Sequence, residues 1–141
     1  DLVRACYLQG TNIMGEPLAV LFRREPLLAA MPWDDSNPLM LDVSTYAKVA
    51  TMGDVVVRDE TIGAFRVSTS SWSTRLAKVQ GAQYARWQHD YAESLAVPPP
   101  AVTRVRARIG VEFHVLLRRA AYLFLAAKGT LKSAGATAAD Q

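Results

Sequence analysis

The sequence predicts an α/β fold, with a few mixed strands flanked by helices and a helical hairpin at the C-terminal end. Three observations carry that expectation. Residues 18–22 (Leu-Ala-Val-Leu-Phe) form a short unbroken apolar run, the signature of a buried strand. Val55, Val56 and Val57 are β-branched in succession, and a second strand-like run follows at 63–68. Between and after these runs the apolar residues recur at helical spacing.

Taken in order, residues 1–10 predict a short helix with Leu2, Val3, Cys6 and Tyr7 on one side, stopped by Gly10-Thr11-Asn12. A loop at 13–17 leads into the first strand, 18–22. Arg23 to Pro26 open a second short helix ending near Ala30, with Pro26 suited to a first turn. Residues 31–40 carry Pro32, Asp34, Asp35, Ser36, Asn37 and Pro38, and read as a loop. Asp42 precedes a helix over 43–52 in which Val43, Tyr46, Ala47 and Ala50 share a face and Gly53 is the stop. Strands are expected at 55–57 and 63–68, with a hydroxyl-rich loop at 68–71. A helix at 74–95 follows, with Ser71 or Ser73 as its cap. Pro98-Pro99-Pro100 divides the chain into 1–97 and 98–141. The second part is a long helix, 101–127, and an Ala/Gly/Thr-rich tail.

Composition narrows the class. The 141 residues are enough for one core, and half are hydrophobic, which argues against a disordered chain. A net charge of +3 favours phosphate-bearing ligands or an anionic membrane without choosing between them. The single cysteine, Cys6, rules out an internal disulfide and a cysteine metal cluster, and suits a cytoplasmic setting. Only His89 and His114 are available to a histidine metal site. The first residue is Asp, so a cut from a longer protein is expected.

Asp42 is the candidate for chemistry. A carboxylate at a helix N-terminus beside a loop can act as a general base; it can equally be an N-cap that accepts exposed backbone N–H groups. Glu16 reads either as an acceptor-hydroxyl ligand or as a surface carboxylate near Arg23 and Arg24. Trp72, between Ser71 and Ser73, suits stacking on the apolar face of a sugar ring, or covering the core. Along 101–127 the residues Val102, Val105, Ile109, Phe113, Leu116, Ala120, Leu123, Phe124 and Ala127 form a stripe. The stripe either docks on the domain or self-associates, or it lies on an anionic membrane as a peripheral contact. No aromatic-interleaved basic patch points to nucleic acid.

The order Gly15-Glu16-Pro17…Val20-Leu21-Phe22-Arg23-Arg24, Trp33-Asp34, Asp42…Tyr46…Lys48, Gly53-Asp54, Phe65-Arg66-Val67 and Ser71-Trp72-Ser73 resembles the C-terminal half of a family 2 glycosyltransferase of the GT-A fold. The likeness covers about residues 2–87 and rests on the joint spacing. It implies transfer of a sugar from a nucleotide-sugar donor to a glycan or lipid-linked acceptor, in polysaccharide or cell-envelope assembly. Asp42 would be the base of an inverting transfer, and Glu16, Ser71, Trp72 and Ser73 would contact substrate. Leu41, Ser44 and Ser68 depart from the residues common in that family, and no Asp-x-Asp motif occurs. The resemblance therefore implies a fragment that holds no metal itself. Mg or Mn belongs to the full-length enzyme, and the fragment is expected to dimerise or to associate with a missing N-terminal half. The rival expectation is a non-catalytic interaction or oligomerisation domain that uses the basic C-terminal helix.

Overall fold

Two helices far apart in sequence, the first and the last, meet so closely that only glycine fits between them. The structure is a computed structural model, and it describes residues 2–64 and 72–128, without the side chains of 72 and 73. Six α-helices appear in it: α1 (Leu2–Gln9), α2 (Arg24–Ala29), α3 (Leu41–Val49), α4 (Trp72–Arg75), α5 (Gln80–Ser94) and α6 (Ala101–Ala127). Two 3₁₀ turns, Pro17–Ala19 and Pro38–Met40, precede α2 and α3. No strand is present among the described residues.

The absence of strands corrects the α/β expectation, and with it the GT-A glycosyltransferase resemblance, whose architecture needs a sheet. The reason is visible in the expected strands. Pro17 starts a 3₁₀ turn that takes in Leu18 and Ala19, so the first apolar run is broken before it reaches Val20. Leu21, Val56 and Val57 are largely exposed. β-Branched residues favour a strand only when a neighbouring strand accepts their backbone bonds and their side chains. Neither run finds such a neighbour. The first run does lie against Gly63, since the Leu18 side chain fills the space where a Cβ on that glycine would sit. The third expected strand, 63–68, falls largely outside the described residues.

The helical expectations fared better. α1 ends at Gly10, whose φ of +63° is a left-handed value. The 43–52 helix is realised as α3, with Val43, Tyr46 and Ala47 buried on the expected face. It starts two residues earlier than expected, so Asp42 lies within the first turn instead of capping it. The 74–95 helix is interrupted by a turn at 76–79 into α4 and α5. At the triple proline the chain reverses. The Pro100 carbonyl accepts from the N–H groups of Thr103 and Arg104 at 2.9 and 3.1 Å. The Arg104 guanidinium donates to the Pro99 carbonyl at 3.0 Å and pairs with Glu93 at 3.4 Å, tying the end of α5 to the start of α6.

The core sits where α1, α5 and α6 meet α3. It comprises Val3, Cys6, Tyr7, Met40, Val43, Ala47, Tyr84, Trp87, Ala92, Ala107, Val111 and Val115. Trp87 stacks on Tyr91 with ring centres 5.5 Å apart, and Tyr91 meets Tyr7 at 5.6 Å. Each such ring pair contributes about 0.5–1.5 kcal/mol beyond its area. A buried amide joins three helices: Gln88 Nε2 donates to the carbonyl of Tyr7 at 2.6 Å and to that of Ala107 at 2.9 Å. The Tyr7 carbonyl lies in the last turn of α1, where no helical N–H reaches it, so Gln88 supplies the missing donor.

α6 docks by its small side chains. Ala107, Val111 and Val115 are buried, whereas a Cβ on Gly110 would strike the Leu8 carbonyl and one on Gly10 would lie 2.5 Å from Val111 Cα. The large residues of the expected stripe could not approach α1 this closely, and they turn outward instead.

Gly110→Ala is expected to lower stability by about 1–3 kcal/mol, because the obstructing atom is backbone and cannot rotate away. Gln88→Met is expected to cost about as much, by leaving the Tyr7 carbonyl buried and unpaired. Chemical denaturation with an unchanged m-value would register both losses.

Candidate functional site

Two regions remain that the fold alone does not explain. The first is a corner where the 10–17 loop crosses the start of α3. Asn12 organises it. Its Oδ1 accepts from the N–H groups of Met14 and Gly15 at 2.9 and 3.3 Å, closing a turn on itself. Its Nδ2 donates to the Gly15 carbonyl at 2.9 Å and to Asp42 Oδ2 at 3.2 Å. Gly15 has φ +102°, so the loop bends there toward Glu16 in a way other residues resist.

Asp42 is half-buried. Its Oδ1 accepts from the Val43 N–H at 2.7 Å. Burial pushes its carboxyl above the usual aspartate range, against the opposing pull of the Val43, Asp42 and Asn12 hydrogen bonds. Glu16 is exposed, yet partial desolvation and then the charge of Asp42 raise its carboxyl as well, while Arg118 pulls it down. Tyr46, one turn beyond Asp42, packs its ring on Phe22 at 5.3 Å. Its hydroxyl is buried without a hydrogen-bond partner. Burial, then Asp42 and Glu16, push the phenol up to about 12. The corner thus holds two carboxylates and a neutral phenol, with the charge of Asp42 making ionisation of Glu16 and Tyr46 harder.

A polar chain connects this corner to α6. Arg118 donates to Thr11 Oγ1 at 2.6 Å, to Gln80 Oε1 at 3.0 Å and to the Tyr84 hydroxyl at 3.2 Å, and its guanidinium lies 5.0 Å from the Tyr84 ring centre. The Tyr84 hydroxyl in turn accepts from the Asn12 N–H at 3.1 Å.

Of the residues expected at a site, Asp42 and Glu16 come together here. Trp72 and Ser73 begin α4, and Ser71 lies outside the described residues. Asn12, Phe22 and Arg118 escaped sequence reasoning. The signal for Asn12 was its place between Gly10 and Gly15, where a self-bonding side chain is useful; Arg118 gave no signal beyond its charge. No group of three or more His, Cys, Asp or Glu that could hold a metal occurs among the described residues.

The second region is the outer face of α6. Val102, Val105, Ile109, Phe113, Leu116, Leu117, Leu123 and Phe124 are all exposed, from 53% to 75%. With 3.6 residues per turn they lie nearly opposite Ala107, Val111 and Val115. α6 is 27 residues long, so the stripe runs along about 40 Å of helix. Scattered apolar residues are ordinary on a surface, but a contiguous stripe marks an interaction site. No helix among the described residues is long and apolar enough to cross a membrane.

No family model, no curated protein and no solved structure matches the chain. The glycosyltransferase resemblance is therefore without support from family as well as from fold.

The raised carboxyl of Asp42 has a definite sign. A folded-state pKa above the unfolded one favours folding at low pH, and that stability is lost as pH rises through the folded value. Relative to Asp42→Asn, the native chain is expected to lose stability between about pH 3 and pH 7, the span that contains the ordinary aspartate value. Thermal unfolding of the two proteins across that range measures the difference; a native chain that gained on the variant instead would contradict the burial of Asp42.

Proposed function

We propose that this chain is a docking module whose working surface is the outer face of α6. One observation carries the reading: eight large apolar side chains stand exposed along one face of a helix that is already anchored by its opposite face. A helix that packed only to complete this core would present its polar side outward. α6 is apolar on both sides, with the small residues inward and the large ones outward. The stability of the domain is met by the inward set, which leaves the outward set for a partner.

A second reading is acid–base chemistry at Asp42, as the sugar-transfer expectation required. It is favoured by the shared corner of Asp42 and Glu16 and by the unpartnered Tyr46 hydroxyl beside them. Asp42 as base would take a proton from a hydroxyl compound. Sugar as the substrate, and Mg or Mn as the helper ion, now rest on no family likeness.

The docking reading is tested on the surface itself. Ile109→Asp with Phe113→Asp is expected to leave the unfolding midpoint within about 0.5 kcal/mol of native, as exposed substitutions do, and to abolish concentration-dependent association or surface adsorption of the native chain. A double variant that unfolded the domain would show these side chains to be core, and would overturn the reading.

A further inference from the structure

We propose that the partner of this face is an anionic lipid surface, with α6 lying in the interface plane and its apolar stripe turned toward the acyl chains. The proposal rests on the reading of α6 as the working surface.

Charge along the rims of the stripe selects the class of partner. At about 100° per residue, Arg106 lies on one flank of the Ile109 line, Arg108 and Arg119 lie on the other, and Lys128 stands at the end. All three arginines and Lys128 are exposed. Glu112 is the one acidic residue of α6, and Arg108 already holds it at 2.9 Å. A second copy, parallel or antiparallel, would bring these arginines against arginines with no free carboxylate on α6 to answer them. An anionic surface answers Arg106, Arg119 and Lys128 at once, with Arg108 already paired to Glu112. Arginine stems are long enough to lie along the stripe while the guanidinium groups reach outward to phosphate.

Shape is compatible with such a surface. The stripe is the crest of a single helix, with side chains such as Val102 and Leu123 more than 70% exposed, and a deformable apolar medium can receive the whole of it. The domain body lies behind the crest, because Ala107, Val111 and Val115 hold it on the opposite side. The helix can therefore lie flat.

Beside the crest lies an open cleft of about 310 Å³, lined by Leu8, Gln9, Arg106, Ile109, Gly110, Phe113 and His114. Its floor is apolar, Arg106 is its exposed cation, and Gln9 adds an amide. That combination fits a phosphate headgroup and the first carbons below it. Arg106 therefore has two roles, as a rim charge and as a phosphate contact, and it is the cation whose loss is expected to matter most.

The test is flotation of the whole 141-residue chain with phosphatidylglycerol/phosphatidylcholine vesicles and with phosphatidylcholine vesicles alone. The chain is expected to float with the anionic vesicles and to remain behind with the neutral ones. Each rim cation removed is expected to weaken binding about fivefold, so Arg106→Glu with Arg119→Glu abolishes flotation, as does Ile109→Asp with Phe113→Asp. Sedimentation velocity is run in parallel. No flotation of the native chain, or flotation unaffected by either double variant, overturns the lipid proposal. If flotation fails but the native chain self-associates and Ile109→Asp with Phe113→Asp makes it monomeric, the docking module stands and its occupant is a second copy. If flotation fails and the native chain is as monomeric as the variant, both readings fall.

Discussion

The structure depends on how the carboxyl end of α1 is received. The last carbonyls of any helix lack internal partners, and here they are buried instead of solvated. Gln88 from α5 caps Tyr7 and at the same stroke bonds the Ala107 carbonyl of α6. Leu8 presents its carbonyl to Gly110, and Gly10 folds under Val111. The two glycine contacts set the distance between α1 and α6 against backbone atoms, which cannot rotate away to absorb an error. They also set the rotation of α6. Once Gly110 faces α1, Ala107, Val111 and Val115 follow it inward, and Ile109, Phe113 and Leu116 have nowhere to point except outward.

The Asp42 corner hangs on the same scaffold. Arg118 is on the inward side of α6, a turn beyond Val115, and it reaches Thr11, Gln80 and Tyr84. Tyr84 then holds the backbone of Asn12, and Asn12 holds Asp42. The chain of contacts explains how a half-buried carboxylate without an ion partner among the described residues is tolerated. It is kept by an amide and by the N–H groups of its own helix.

The sequence was legible where local rules and packing agree. Gly10 as a stop, Pro26 in a first turn, the triple proline as a reversal and the Val43/Tyr46/Ala47 face all appear as expected, because each is settled within a few residues. Asp42 and Glu16 were both singled out, and both stand in one corner. The sheet was the failure. Val55–Val57 satisfies every local rule for a strand, but a strand is a pairing, and the pairing partner is not something three valines can specify. The direction of α6 was left open. Its stripe of large residues reads either as a face docked on the domain or as one kept for self-association or a membrane. The controlling fact was close approach at Gly110, which a pattern of hydrophobicity does not record. Asn12 and Arg118 act through bonds that span many residues, 72 in sequence between Asn12 and Tyr84 and 107 between Arg118 and Thr11.

The meeting of α1 with α6 also orders events in time. Tyr7 is joined to Gln88 across 81 residues, and the glycine contact spans still more chain. Contacts of such long range form late, because closing the intervening loop costs entropy before any contact repays it. On a ribosome that adds about 5–20 residues each second, α1 emerges several seconds ahead of the helix that will cover it. For that interval it is an eight-residue segment, too short to hold itself helical in water. α1 is thus made well before it can be folded, and its structure is decided by the arrival of α6.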